Sequence, residues 1–340
     1  MKKAITLSLA VLLTAAFAAC TSTSGVKSGA AAGEALIKMM PKSTAGVVAV
    51  DIKRLMETEA AKKALQEPQA KAKYDELVKM SGIDPMKDIA YLALGLVGSP
   101  VGTPGGMNGG AVVYLKYDQA KLQALIKEMA PGAKQETYNG VTIYTGLDGT
   151  EAKQQTGAAF LDATHIVIGS EQAVKGIIDV RQKKTESMAK NAEMTALLKK
   201  VDKSGLVWGA FAVPQDLLKK GIESQPQLKV LEGVTGLTLA FDYRLATLVA
   251  DIRTVGGTKE QNENLASTLN GFKSLGAMFA AQEPVVGEAL NGIEISSGED
   301  YTRLAINLSQ EIIDKLGAFA QSKAGELVKP KKDAVPEEKK

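Results

Sequence analysis

Short stretches of alternating apolar residues, each followed by a helical pattern, recur along the chain. Residues 165–168 alternate and lead into Ser170, after which apolar residues return at helical spacing. Residues 304–308 alternate in the same way and lead into Ser309 and a helical pattern. A period of two is typical of a half-buried strand, and a period near 3.6 of an amphipathic helix. The chain is therefore predicted to alternate strands with helices.

The order of these elements predicts an internal repeat. Asn139-Gly140 and Asn291-Gly292 each precede a predicted strand, and Ser170 and Ser309 each stand at the start of the helix that closes the unit. Asn-Gly favours positive φ, and serine accepts a hydrogen bond from a free helix N–H, so each match has a physical role.

The two predicted copies differ in length. From Asn139 to Ser170 is 31 positions and from Asn291 to Ser309 is 18, so the first copy holds 13 more residues. We expect most of them in the polar stretch 147–156. The copies are predicted to occupy residues 34–190 and 191–324.

Hairpins mixed with helices set the fold class. Residues 237–241 and 246–252 alternate around Tyr243-Arg244, which predicts a hairpin with one buried face. Thr258 and Gln261 form a capping-box pattern at the start of a long helix. We therefore expect an α+β fold of two diverged repeats, each a largely antiparallel sheet with helices packed on one face.

The N-terminus has the features of a secretory signal peptide, predicted over residues 1–19. Two lysines precede an apolar run at 4–16 that is too short to cross a bilayer. The run ends in Ala18-Ala19-Cys20, and Cys20 is the only cysteine in the chain. This ending resembles the bacterial lipobox, which implies that Cys20 is acylated and becomes the new N-terminus.

One residue departs from the lipobox pattern, since Phe17 stands where an aliphatic residue is usual. The alternative is cleavage after Ala18, which would release a soluble periplasmic protein. Thr21 follows the cysteine, and by resemblance to enterobacterial sorting it points to the outer membrane, facing the periplasm. Stable anchoring to a membrane needs more than one acyl chain, which a lipoprotein cysteine carries.

Three stretches have the composition of loops or linkers. Residues 20–33 are rich in Ser, Thr, Ala and Gly and predict a flexible tether. Residues 98–110 hold six glycines and predict a mobile loop without a phosphate-binding pattern. Residues 325–340 carry charges of both signs and predict a disordered tail.

Charge and cysteine content exclude several classes of protein. Once Lys2 and Lys3 are removed with the leader, 39 of the 41 basic residues remain against 38 acidic ones, so nothing favours a nucleic-acid partner. A single cysteine leaves no intramolecular disulfide. Stability must come from packing, and apolar residues make up 45% of the chain.

Few residues suggest catalysis or metal binding. His165 is the only histidine and lies in a predicted strand, where we expect a structural role. No nucleophile-elbow or zinc-protease motif is present. Glu294, Glu299 and Asp300 cluster near the second predicted hairpin and are interpreted as solvated charges. We expect no metal and no cofactor.

Three segments carry a resemblance to a loosely defined group of bacterial exported proteins of unknown function. They are the Pro-containing phrase at 40–51, which leads into a strand, and the strand segments at 138–144 and 160–170. The group has duplicated α+β units. The resemblance implies no catalytic residues.

Three functions are compatible with these observations. The first is a non-catalytic envelope lipoprotein that binds a protein or an envelope polymer, with the lipid at Cys20 as its link to the membrane. The second is a periplasm-facing carrier of an apolar ligand such as a lipid. The third is an enzyme that uses carboxylates. Because no catalytic motif is present, the first is preferred.

Overall fold

A computed structural model describes residues 29–97, 108–147, 156–280 and 283–327. The predicted signal peptide 1–19 and Cys20 lie outside the described residues. So do the first part of the predicted tether, most of the glycine-rich loop 98–110, most of the insertion 147–156 and the tail from residue 328 onward.

Helices and strands alternate along the chain, with two short 3-10 turns at Met188–Lys190 and Pro226–Leu231. The strands are β1 Thr44–Asp51, β2 Ile89–Val97, β3 Gly109–Leu115, β4 Lys134–Tyr138, β5 Val141–Thr145, β6 Thr156–Asp162, β7 His165–Ser170, β8 Val207–Ala212, β9 Val234–Arg244, β10 Thr247–Gly256, β11 Ile293–Ser297 and β12 Tyr301–Ser309. The helices are α1 Ala30–Ile37, α2 Ile52–Met56, α3 Glu59–Ala64, α4 Pro68–Ser81, α5 Pro85–Asp88, α6 Gln119–Met129, α7 Glu171–Arg181, α8 Ala192–Lys199, α9 Gln215–Ser224, α10 Lys259–Phe279, α11 Pro284–Asn291 and α12 Gln310–Leu327.

The strands that the structure describes form one sheet of 12 strands, in the order β11-β12-β10-β9-β8-β1-β2-β3-β7-β6-β5-β4. Every neighbouring pair is antiparallel. The predicted α+β class with a largely antiparallel sheet is confirmed. The strands expected in two units are continuous across the middle of the sheet, where β1 pairs with β8.

Local signals for helix starts and turns hold in the structure. Asp118, Ser170 and Thr258 each accept a hydrogen bond from the first turn of a helix, and the capping box of Thr258 and Gln261 is complete. These interactions are local, so the sequence shows them before any tertiary contact is known.

The two faces of the sheet are covered differently. We call the face that carries Trp208, Ala240 and Asp251 the front face, and the opposite face the back face. On the front face, α1, α7 and α8 pack over the strands from β1 to β7 and over β8 and β9. On the back face, the helices α2 to α6 and their connections within residues 52–88 and 117–129 pack over the first half of the sheet. The expectation of helices on one face is therefore wrong for the first half, because its strands are apolar on both faces.

A buried aromatic pair anchors the front-face core. Trp208 and Tyr91 are fully buried, and the indole Nε1 of Trp208 donates a hydrogen bond to the hydroxyl of Tyr91 at 2.8 Å. Gly33 of α1 lies against both rings, and a Cβ at this position would come within 2.6 Å of Tyr91. Helix α1 therefore approaches the sheet closely, and residues Ala30–Gly33, which were predicted as tether, are helical.

Five strands of each half follow the same order, but the predicted turn alignment does not hold. From the centre outward, the first half runs β1-β2-β3-β7-β6-β5-β4 and the second β8-β9-β10-β12-β11, so β5 and β4 have no counterpart in the second half. Asn139 and Gly140 have φ of 51° and 76° and form the β4–β5 hairpin turn, whereas Gly292 has φ of −78° and ends α11. Asn139-Gly140 precedes β5, which pairs with β6, whereas Asn291-Gly292 precedes β11, which pairs with β12. In the shared strand order β11 corresponds to β6 and not to β5, so the equivalence of Asn139 and Asn291 is wrong. The repeat itself stays a prediction.

Removal of the Tyr91 hydroxyl tests the buried aromatic pair. Tyr91→Phe keeps the ring but leaves the buried Trp208 N–H without its acceptor, so we expect the free energy of unfolding to fall by about 1–3 kcal/mol. Urea unfolding followed by the fluorescence of Trp208, the only tryptophan, measures the change. The matched control is Tyr114→Phe in β3, because Tyr114 is half-buried; an equal loss in both variants would contradict this assignment.

Candidate functional site

The front face is open over the strands of the second half, where a recess of about 550 Å³ lies on β9, β10, β12 and β11. Strand register brings its floor together. Asp251 pairs with Ala240 on one side and Ala305 on the other, and Ala305 pairs with Glu294. The two alanines are short side chains beside longer charged ones, so they leave a depression around the carboxylate of Asp251.

Asp251 is held by two arginines from neighbouring positions in the sheet. Arg253 donates from Nε to one oxygen at 2.7 Å and from a terminal nitrogen to the other at 3.0 Å. Arg303 of β12 donates from Nε to the same carboxylate at 2.7 Å. The guanidinium of Arg253 also lies 5.3 Å from the ring centre of Tyr301, a cation–π contact. The carboxylate thus orders both guanidinium groups on the sheet surface.

The ion pairs change the acidity of this carboxyl. Burial acts to raise the pKa of Asp251, but the hydrogen bonds and charges of Arg253 and Arg303 outweigh it and hold the pKa below its usual range. Asp251 is therefore a charged carboxylate near neutral pH and a weak base.

A second ion cluster lies at the rim of the recess. Asp242 is buried, with 5% of its surface exposed. Its carboxylate pairs with Arg244, and a terminal nitrogen of Arg54 lies 3.7 Å from one carboxylate oxygen. Arg54 also donates to the carbonyl of Ser204 at 2.8 Å. Hydrogen bonds from Ser204 in turn lower the pKa of Asp202. This cluster ties the loop before β8 to the edge of the recess.

The charges of the recess are mixed. Its lining includes four carboxylates (Asp202, Asp242, Asp251, Glu294) and three guanidinium groups (Arg244, Arg253, Arg303), a formal balance of 3 − 4 = −1. Glu294 is exposed. A surface of this kind presents both signs of charge within one depression, so it suits a ligand with both amines and acidic groups.

The structure separates Glu294 from Glu299 and Asp300, which are close together in the sequence. Glu294 lies in the recess, whereas Glu299 contacts Lys259 at 3.3 Å and Asp300 pairs with Lys200 at the opposite end of β11. Their expected role as solvated charges fits Glu299 and Asp300. Glu294 belongs instead to the candidate site.

His165 lies far from the recess, six strands from β10 or about 29 Å across the sheet. Its Nδ1 is 2.9 Å from Asp162, and its ring stacks on Tyr114 at 5.0 Å. Among the described residues, no group of three or more metal-ligating acidic, histidine or cysteine side chains comes together. Within the same residues, no helix is both long enough and apolar enough to cross a bilayer. Cys20, the predicted lipidation site, lies outside them.

Asp251, Arg253 and Arg303 are functional candidates that the sequence patterns did not predict. The available signal was the alternation of Asp251 and Arg253 with Ala250 and Ile252, which puts two charges on one face of a strand. Arg303 lies 52 positions away from Asp251, so only the pairing of β10 with β12 reveals the complete cluster.

Comparison with known families places the chain. A family model for proteins of unknown function, DUF3352, matches residues 110–294, which is 185 of the 340 residues. The chain belongs to the DUF3352 family. The matched segment includes Asp251, Arg253 and Glu294 and ends before Arg303.

Other comparisons add little to this family assignment. No curated protein matches the chain. The fold is similar to crystal form I of TP0453, with 10% identity, a TM-score of 0.43 and coverage of 83% of this chain and 96% of that one. Form III gives 12% identity, a TM-score of 0.42 and coverage of 82% and 95%. Form IV gives 10% identity, a TM-score of 0.37 and coverage of 86% of this chain and 96% of that one. At these scores the likeness is too remote to transfer a function.

Neutralisation of Asp251 tests the ion cluster. Asp251→Asn leaves two arginines without their shared counter-ion, so we expect a loss of about 1–3 kcal/mol in the free energy of unfolding at pH 7. Because the folded-state pKa is lowered, the stabilisation is present above the unfolded pKa of about 3.9 and is lost as pH falls through the folded pKa.

The difference between wild type and Asp251→Asn should therefore shrink below about pH 4. Urea unfolding at pH 7 and at acidic pH measures it. Asp75→Asn, whose exposed carboxylate pairs with Lys71 on α4, is the matched control and should change little at either pH. A difference for Asp251→Asn that is independent of pH would contradict the argument.

Proposed function

We propose that this protein is a non-catalytic binding protein of the bacterial cell envelope. In this proposal it is anchored by acylation of Cys20, on the periplasmic side of the outer membrane, and it binds a charged segment of an envelope protein or polymer in the front-face recess. The observation that carries the proposal is the open recess with Asp251, Arg253 and Arg303 ordered on its floor.

Binding accounts for the recess better than catalysis does. A general acid or base at neutral pH needs a raised carboxyl pKa. In the recess, the pKa values of Asp251 and Asp202 are lowered. Burial raises the pKa of Asp51, but this carboxylate accepts hydrogen bonds from the backbone N–H groups of Gly29 and Arg54 and so has a structural role.

The geometry of Arg303 suggests how a ligand would be recognised. Its Nε is used by Asp251, while the guanidinium lines the recess. Glu294 is a diagonal neighbour on β11, about 7–8 Å away between Cα atoms. A ligand with an acidic group near Arg303 and an amine near Glu294 would satisfy both charges. Peptide segments of proteins and of peptidoglycan have this combination of groups.

A specific observation also favours the second candidate, a carrier of apolar ligands. On the back face of the second half, a row of large apolar side chains is only half-buried: Leu239, Phe241, Ile252, Leu304 and Ile306. Helix α11 has no fully buried residue among those described. Native extraction followed by mass spectrometry separates the candidates, because a carrier retains lipid in stoichiometric amount.

Replacement of Cys20 tests the anchor. In wild type we expect an intact mass that includes acyl chains and a protein that stays with membranes after a salt wash, because several acyl chains bind stably. Cys20→Ser should lack the acyl mass. Thr23→Ser is a matched control within the same segment and should keep it. Wild-type protein without acyl mass that washes off with salt would refute the anchor.

Charge reversal in the recess tests the proposed ligand class. Purified peptidoglycan sacculi are mixed with wild type, Arg303→Glu and Lys71→Glu, and sedimentation measures the bound fraction. We expect wild type to sediment, Arg303→Glu to lose at least about tenfold in affinity, and Lys71→Glu to behave as wild type. Lys71 is a suitable control because it is an exposed lysine on α4. Equal binding of all three would reject the recess, and no binding by wild type would reject this polymer.

A further inference from the structure

One end of the sheet gathers several features that the recess does not use. We call it the upper end: β1 finishes there at Asp51, and the β9–β10 turn at Leu245-Ala246 lies there. Strand register defines this end, because one row of paired residues crosses the sheet below it: Val50, Val207, Phe241, Ala250, Ile306 and Ile293. Leu245 lies four positions beyond Phe241 along β9.

The chain enters the fold at the upper end. The backbone N–H of Gly29 donates to the carboxylate of Asp51 at 2.9 Å. Cys20 precedes Gly29 by nine positions, and nine residues reach at most about 30 Å. An acyl anchor on Cys20 therefore limits how far the upper end can move from the membrane.

Leu245 is an unusual residue for its position. It is 99% exposed, and φ is 49° at Leu245 and 56° at Ala246. Two-residue hairpin turns with positive φ favour Asn and Gly, as the Asn139-Gly140 turn shows. Leucine at this position has a strained backbone and an apolar side chain in water. An apolar environment outside the fold would remove that side chain from water.

A second exposed apolar group lies on α10. Phe272, Leu275 and Met278 are 64%, 56% and 73% exposed and recur every three residues, so they form one stripe. We call it the α10 stripe.

Two hydrogen bonds orient α10 relative to the sheet. The hydroxyl of Thr302, near the lower end of β12, donates to the carbonyl of Asn262, and the Nζ of Lys273 donates to the carbonyl of Ile293 at 2.5 Å. Helix α10 therefore runs from the lower to the upper end. Because a helix rises about 1.5 Å per residue, Phe272 lies nearly level with Lys273, and Leu275 and Met278 lie about 3 and 7.5 Å beyond it along the axis. The α10 stripe is thus on the same end as Leu245 and Gly29.

We propose that the upper end is a membrane-facing surface, on which Leu245 and the α10 stripe enter the boundary between lipid headgroups and acyl chains. The inference rests on the lipid anchor of the proposed function, since the anchor brings this end to the bilayer. The recess then opens on the side of the sheet, away from the lipid, and stays accessible to a ligand.

Single labels measure this orientation in the full chain. Acylation consumes the thiol of Cys20, the only native cysteine, so each introduced cysteine carries the sole label. Leu245→Cys and Leu275→Cys place an environment-sensitive fluorophore at the upper end. The matched control is Glu299→Cys, because Glu299 is exposed in the turn between β11 and β12 at the lower end. Each acylated protein is reconstituted into phosphatidylethanolamine–phosphatidylglycerol liposomes that contain lipid-borne nitroxide quenchers.

We expect quenching at Leu245→Cys and Leu275→Cys that is severalfold stronger than at Glu299→Cys. Equal quenching at the three positions in acylated protein would overturn the membrane-facing end while leaving the anchor intact. Labels that are shielded before liposomes are added would indicate contact between copies of the chain and would also overturn it.

Intact mass of each sample separates failure of the anchor from failure of the surface. A chain without acyl groups takes up a second label at Cys20, and this result would refute the anchor. In that case, liposomes added to the unanchored protein test the surface directly. Quenching confined to Leu245→Cys and Leu275→Cys would support it, and its absence would overturn it.

Discussion

The antiparallel pairing of β1 with β8 joins strands that are far apart in the chain and makes one sheet of the two halves. The backbones meet closely there, since a Cβ on Gly209 would lie 2.4 Å from the carbonyl oxygen of Val47. The same junction carries Trp208, whose indole bonds Tyr91 of the neighbouring β2 under α1. A side chain at Gly209 would push the two halves apart. The front-face core and the position of the N-terminal segment therefore depend on this pairing.

Helices cover both faces of the sheet in its first half but only the back face around the recess in its second half. In the first half, α1, α7 and α8 cover the front and the helices α2 to α6 cover the back, so apolar residues pack on both faces. In the second half, α10 contacts β11 and β12, with Asn262 against Thr302 on the back face, and the front is open at the recess. Uncovered strands tolerate charge on the solvent side, which is where Asp251, Arg253 and Arg303 lie.

The open face and the upper end point in different directions, and this geometry makes the two proposals compatible. Strand faces and strand ends are perpendicular features of one sheet, so a protein held at the ends of its strands keeps its faces free. The exposed Leu245 and the buried Asp51 are both at the end where the described chain begins. Membership of DUF3352, a family of unknown function, assigns no role to the recess or to the upper end. Both proposals therefore rest on the chemistry of the residues in these two regions.

Interactions between residues close together in the chain can be predicted from the sequence, whereas the pairing of strands far apart in the chain cannot. Caps at Asp118, Ser170 and Thr258 and the β9–β10 hairpin could be predicted, because each depends on residues within a few positions of one another. The α+β class followed from the same patterns. By contrast, no pattern predicted β4 or α11. The equivalence of Asn139 with Asn291 was wrong, because an Asn-Gly pair can end a helix as well as turn a hairpin.

The candidate site depends still more on tertiary structure. Asp251 and Arg253 are visible as alternating charges in a strand, but their role requires Arg303, which β12 brings alongside across 52 positions. Sequence patterns indicate which face of a strand is apolar, but they do not identify its neighbour or show which helix covers it. The sequence alone determined the α+β class, several helix caps and the lone Cys20. Only the tertiary structure decided that the halves share one sheet and that its second half keeps an open, charged face.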